Sequence, residues 1–245
     1  MAVRWDTINV DGQPMKIYLG LQDSPGPHPG VVVIHHGPGL DGQIQDVVHR
    51  LFRKGYVAAA PDLFHRQPAE LPGNVARTSL LRDKEIIADV NATVVYLKGL
   101  RGTNADQIGI TGFCMGGRVT YLMAANSSDF KAAAVFYGGN MMVALGEGPS
   151  PFELTSKVSC PLIGFFGEED QNPSPVDVKK IDAELTKYDK PHEFHSYSGA
   201  GHAFQNFLDA NRYRETAARD SWAKFLAFFD QHLKAAGPFH RKGSV

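Results

Sequence analysis

The hexapeptide Gly112-Phe113-Cys114-Met115-Gly116-Gly117 is where the chain concentrates its chemistry. It follows the apolar run Ile108 to Thr111 and precedes a helical pattern, and it matches the G-x-S-x-G nucleophile elbow with cysteine in the serine position. A nucleophile on so sharp a strand-to-helix turn needs small neighbours, and Gly112 and Gly116 let strand and helix crowd together. There the Met115 N–H faces a developing oxyanion, and the helix N-terminus favours a thiolate at Cys114. The plainer alternative is a glycine-rich turn around a buried, inert cysteine.

Two later segments weigh against that alternative. A nucleophile needs a base, the base needs an orienting acid, and elbow hydrolases supply them in the chain order nucleophile, acid, base. The run Leu162 to Phe166 is followed by Gly167-Glu168-Glu169-Asp170, and the run ending at Tyr197 by Ser198-Gly199-Ala200-Gly201-His202-Ala203-Phe204. Both loops fall past the carboxyl end of a strand, where open α/β sheets place their ligands. His202 would take and return a proton, and Asp170 would hold its tautomer and stabilise the imidazolium. Glu168 and Glu169 compete for the acid role, with solvation as the alternative for each.

The elements that must position these groups alternate along the chain. Trp5, Ile8 and Val10, then Met15, Ile17 and Leu19, flank the turn Asp11-Gly12 and predict an antiparallel hairpin. Gly30 to Ile34, Tyr56 to Ala60, Ile108 to Thr111, Ala132 to Tyr137, Leu162 to Phe166 and His192 to Tyr197 predict strands, apolar on both faces where the sheet is covered. Helical spacing appears at Val47–Phe52, Ile86–Leu97, Val119–Leu122 and Trp222–Leu233. Strands alternating with helices predict an α/β chain, a mostly parallel sheet with helices on both faces. Two long loops, Leu63 to Ser79 and Gly138 to Ser156, invite a functional reading. Residues 1–245 read as one domain, with residues 237–245 as a loose tail.

Composition removes several classes. The chain has 245 residues, 43% of them hydrophobic and 21% charged, with 25 basic and 26 acidic side chains and a net charge of −1. No basic run marks a nucleic-acid binder, and no apolar run reaches the roughly 18 residues that cross a membrane. Without a signal region the expected location is cytoplasmic, where thiols stay reduced and Cys114 is free to react. Cys160, before Pro161 at a strand start, reads as structural. His35, His36 and His65 lack metal-ligand spacing, and adjacent strand residues point to opposite faces, so neither metal nor cofactor is expected. Arg77 and Arg82 are either solvated or contacts for an anionic substrate.

Taken together these segments resemble the dienelactone hydrolase family of α/β hydrolases, over nearly the whole chain. The family's G-x-C-x-G-G is met by Gly112 to Gly117, and its Pro-Asp-Leu-aromatic segment by Pro61-Asp62-Leu63-Phe64. Its Tyr-Gly after a strand is met by Tyr137-Gly138, its acid loop by Gly167 to Asp170, and its A-G-H-x-F by Ala200 to Phe204. The resemblance implies an α/β-hydrolase fold and a Cys114–Asp170–His202 triad that cleaves a small ester or lactone through an acyl-thioester, without a cofactor, as a monomer or homodimer. It also implies Gly37, in His35-His36-Gly37-Pro38-Gly39-Leu40-Asp41, as the second oxyanion donor beside Met115; Pro38 has no N–H to offer. His36, Phe113, Tyr137 and Phe204 are the side chains expected to meet substrate.

The chain departs from the family at two positions. His36 stands where the family carries a Glu that contacts the resting thiol, and Asn206 where it carries an Arg that grips a substrate carboxylate. Both departures point toward neutral esters or lactones and a thiol already ionised at rest. The rival readings are a thioesterase or acyltransferase on the same triad and, from another class, a thiol-based sensor that does not turn over.

Overall fold

In the computed structural model, which describes residues 2–234, eight strands form one sheet in the order β1-β2-β4-β3-β5-β6-β7-β8. The tail expected over residues 237–245 lies outside the described residues. Strands β1 (Ala2–Val10) and β2 (Gln13–Leu21) make the hairpin expected around Asp11-Gly12, and β2 pairs antiparallel with β4 (Val57–Pro61). From β4 through β3 (His28–Ile34), β5 (Thr103–Phe113), β6 (Phe130–Phe136), β7 (Leu162–Gly167) and β8 (His192–Tyr197), every pairing is parallel. The fold is therefore the mostly parallel α/β arrangement with an antiparallel N-terminal hairpin.

The alternation of side chains along each strand sorts the core into two layers. Val32, Ile34, Ile110, Ala133, Val135 and Phe166 face α2 (Asp83–Gly99), α3 (Met115–Asn126) and α4 (Pro175–Lys187). Val31, Val33, Ala132, Ala134, Phe136 and Phe165 face α1 (Gly42–Arg53) and α5 (Glu215–Phe229). Both faces being covered is what makes these strands apolar throughout.

The structure adds one helix and lengthens one strand relative to the sequence pattern. Helix α4 buries only Val178, Ile181 and Leu185, too sparse a stripe to stand out among its charged residues. Its start was nonetheless written locally: Ser174 and Asp177 form a capping box, with Pro175 in the first turn. Strand β5 begins at Thr103, because Thr103 and Asn104 in its polar first half pair with His28 and Pro29 before a register shift at Pro29/Gly30. The two long loops each contain a 3-10 turn, Arg77–Leu80 and Phe152–Lys157.

Register carries the parallel strands to a common edge. Ile34 pairs with Gly112, Phe113 with Phe136, Phe136 with Phe165, and Gly167 with Tyr197. The loops after β3, β5, β6, β7 and β8 consequently leave the sheet side by side, which brings Gly37, Cys114, Tyr137, Asp170 and His202 to one end.

Gly109, mid-strand in β5, is where the α5 layer presses closest. A Cβ there would lie 2.8 Å from Leu233 Cδ1 and 2.9 Å from Phe229 Cε2. Gly109→Ala is expected to lower stability by about 1–3 kcal/mol through overpacking, seen as a lower thermal midpoint, while Cys114 stays as reactive to alkylation as before.

Candidate active site

Backbone contact builds the turn that holds Cys114. A Cβ on Gly112 would sit 2.2 Å from Gly116 O, one on Gly116 2.4 Å from Ile34 O, and one on Gly117 2.7 Å from Phe136 O. These obstacles are main chain and cannot rotate away, so all three positions require glycine. Between them Cys114 adopts φ 56°, ψ −120°, the left-handed side of the map that an L side chain rarely occupies. Its N–H is anchored 3.0 Å from Phe136 O, and α3 begins at the next residue.

Asp170 and His202 arrive on the loops after β7 and β8. His202 Nδ1 lies 2.8 Å from Asp170 Oδ2, and the other carboxylate oxygen accepts the Asn172 N–H at 2.8 Å. Asp170 is 2% exposed and in contact with the imidazole, whereas Glu168 and Glu169 are exposed. Glu169 N–H to Ala200 O at 2.9 Å and Glu168 N–H to Tyr197 O at 3.0 Å bind the acid loop to the base loop. Gly167 permits that approach, since a Cβ there would meet Ala200 O at 2.3 Å.

Burial works against an ionised thiol at Cys114, but it is outweighed. The imidazole of His202, through its hydrogen bond and charge, and the N–H groups of Met115 and Gly37 favour the thiolate and hold the thiol below its ordinary range. Burial likewise opposes the imidazolium of His202, yet the hydrogen bonds and charges of Asp170 and Cys114 raise it to about 9. The two shifts are reciprocal, since the charge of each group favours the charged form of the other. Met115 and Gly37, donating to the sulfur from opposite loops, form a pair of N–H groups of the kind that receives a developing oxyanion.

The four side chains expected to meet substrate sit elsewhere. Phe113 is buried and stacks on Phe136 with ring centroids 4.6 Å apart. Tyr137 and Phe204, both buried, pack edge to face at 5.1 Å, and Tyr137 meets the His202 ring at 5.3 Å, so they back the base. His36 is turned onto Asp41, with Nε2 2.8 Å from Oδ2 but off the hydrogen-bond axis. Burial lowers its pKa, and it does not line the cleft. The histidines do not converge on a metal: His35 is fixed between His36 O and the Leu63 N–H, His65 lies against Asp89, and no group of potential ligands occurs among the described residues.

Cys114 and His202 open into a cleft of about 750 Å³. Its walls include residues that carry no sequence motif: Thr78, Asn140, Leu145, Asn172, Arg212 and Arg214. Arg118 lines it as well, and its place one helical turn after Cys114 was the one spacing clue available. Asn206 uses its side chain to close a turn onto the Leu208 N–H; farther along the same loop Arg212 and Arg214 border the cleft, Arg212 paired with Asp209 and Arg214 donating to the carbonyls of Gly199, Asn211 and Tyr213. Arg77 and Arg82 donate to backbone carbonyls of their own segment.

Known proteins resemble this chain in sequence and in fold. The model of the dienelactone hydrolase family matches residues 15–233. A Synechocystis sp. protein named "Putative carboxymethylenebutenolidase" is 33% identical over 95% of this chain and 98% of its own length. A Bradyrhizobium sp. protein named "Probable 2-oxo-3-(5-oxofuran-2-ylidene)propanoate lactonase" is 31% identical over 95% of this chain and 96% of its own. The crystal structure of a "Putative Dienelactone Hydrolase" from Klebsiella pneumoniae superposes with a TM-score of 0.85 at 29% identity, covering 94% of this chain and 100% of that one.

The electrostatics set a pH signature. Iodoacetamide should label Cys114 with a rate that reaches its plateau below the ordinary thiol range, because the thiol pKa is lowered. Cys160, buried and pushed up to about 12, should stay unlabelled in the native protein. Replacing His36 with Glu should leave the Cys114 profile nearly unchanged, since that side chain faces Asp41; a clear shift would place residue 36 beside the thiol instead.

Proposed function

The chain belongs to the dienelactone hydrolase family and is a carboxylic ester or lactone hydrolase, and from that premise we propose that it acts through Cys114, His202 and Asp170 by way of an acyl-thioester. The observation that carries this reading is the buried Asp170–His202 contact at 2.8 Å, set beside a thiol whose ionised form His202 and two backbone N–H groups all favour.

The steps follow from those groups. Cys114 Sγ adds to the substrate carbonyl carbon, and the carbonyl π pair moves to oxygen as the Met115 and Gly37 N–H groups receive the charge. When the C–O bond breaks, His202 gives its proton to the leaving alkoxide, which in a lactone remains tethered to the acyl chain. Water then loses a proton to His202 as its oxygen adds to the thioester carbon. Collapse expels the Cys114 thiolate, restores the thiolate–imidazolium pair and releases the acid. Asp170 keeps the Nδ1 proton in place and stabilises the imidazolium throughout. The substrate class is a small ester or lactone that fits a cleft of about 750 Å³.

Side-by-side turnover of short p-nitrophenyl esters, lactones and acyl-thioesters, in neutral and carboxylated forms, tests the reading directly. Cys114→Ala should abolish ester and lactone cleavage. Asp170→Asn should lower kcat by on the order of 10² or more, less than the about 10⁴ of a serine triad because a thiol depends less on its acid. Glu168→Gln and Glu169→Gln should change little. Hydrolysis should also fall as pH rises through the His202 value of about 9, where the proton for the leaving group is lost. A Cys114→Ala protein that still cleaves esters normally would end this mechanism.

A further inference from the structure

One substrate wall, tied to the Asp170 loop through Asn140 and Asn172, is a long segment with only partly buried apolar anchors. Between Met142 and Pro149 no residue is fully buried, Val143 is 50% exposed, and Gly146 and Gly148 adopt positive φ. Such a segment should wander, yet Asn140 and Leu145 must hold still to shape the cleft. Met142 and Leu145 pack partly against the core, and the Asn172 side chain holds Asn140; the other polar ties come from one place.

Arg118, 2% exposed at the cleft floor, makes a two-pronged contact with Asp83 at the first turn of α2, Nη1 to Oδ1 at 2.6 Å and Nη2 to Oδ2 at 2.9 Å. The same guanidinium donates from Nη2 to Val143 O at 2.6 Å and from Nε to Asn140 O at 3.3 Å. Asp83 completes the set: its Oδ2 accepts the Leu145 N–H at 2.8 Å, and its own N–H donates to Leu145 O at 2.7 Å. One buried ion pair therefore grips the wall at residues 140, 143 and 145. It grows from the helix that starts at Cys114, so the wall is referenced to the nucleophile itself.

We propose that the Arg118–Asp83 pair is a positioning device for specificity: it fixes the 140–145 wall relative to Cys114 and so determines which acyl or alkoxy groups the cleft accepts. Only the planar fork of arginine can meet a carboxylate and two carbonyls at once; lysine has neither the number nor the directions of donors. The pair touches neither the thiol nor the imidazole, so its influence falls on substrate binding and selectivity. The kinetic part of this inference rests on the hydrolase reading above; the structural part does not.

The test uses Arg118→Met/Asp83→Leu, which removes both charges together, and Arg118→Lys, which keeps the charge but not the fork. Removing one partner alone would strand a buried charge and destabilise the fold, so the paired change is the informative one. With folding checked by circular dichroism, amide hydrogen exchange across residues 138–148 should speed markedly in the paired variant, and KM for bulky esters should rise by about tenfold or more. The fall in kcat/KM should exceed the fall in kcat, and the preference between short and bulky esters should flatten. Arg118→Lys should show the same changes in part, and it remains a test if the paired variant does not fold.

A second readout needs no turnover. The ratio of Cys114 alkylation rates by iodoacetamide and by the bulky N-phenyl iodoacetamide reports the wall alone, and should move toward unity while the pH profile of alkylation stays in place. Unchanged exchange in the loop, a released loop with unchanged ester and alkylation selectivity, or a shifted alkylation pH profile would each overturn the proposal. A wild-type protein inert toward every ester and lactone would instead sink the hydrolase reading, and the alkylation ratio would still judge the wall.

Discussion

Everything at the functional end of this molecule depends on main chain lying against main chain at the β5–α3 turn. Three glycines remove side chains from places where a single methyl would stand 2.2 to 2.7 Å from a carbonyl oxygen. That closeness forces Cys114 into a positive φ and lifts its side chain out of the sheet. It also aims the start of α3, and with it the Met115 N–H, at the reacting atom. The strain at one residue is sustained because the surrounding sheet, covered on both faces, leaves the backbone nowhere to relax.

The electrostatic design follows from this placement. A thiol and an imidazole, each partly withdrawn from water, would separately favour their neutral forms. Set together, with Asp170 behind the imidazole and two N–H groups before the sulfur, they favour the ion pair instead. The aromatic side chains of the β6 and β8 ends, Tyr137 and Phe204, take part by packing behind His202, which holds the ring and keeps water from its back.

Polar ties do on the substrate side what apolar packing does on the core side. Beyond Met141 the 142–148 segment has only partly buried apolar anchors, and a buried Arg118–Asp83 pair satisfies the Asn140 and Val143 carbonyls and the Leu145 amide from beneath. A buried ion pair adds little net stability when compared with apolar packing, but it is directional, and removing one partner is heavily penalised. Directionality is what a wall of defined shape needs.

The amino-acid order alone determined the things that depend on local pattern and backbone sterics. The glycine-spaced cysteine, the loops ending in Asp170 and His202, the hairpin at Asp11-Gly12 and the alternation that makes a covered parallel sheet are all written in short stretches. Helix α4 was written there too, in its capping box, although its apolar stripe is too thin to announce it. Tertiary structure decided what depends on which surfaces meet. Strand register, not motif, brought five loops to one edge. Asp170 became buried against His202 while its two glutamate neighbours stayed exposed. His36 turned to Asp41, Phe113, Tyr137 and Phe204 became support for the site, and Asn140, Leu145, Arg212 and Arg214 became its walls. The division has one physical cause: backbone conformation answers to the nearest few residues, whereas the direction a side chain faces and the charge it carries are set by neighbours that only the folded chain assembles.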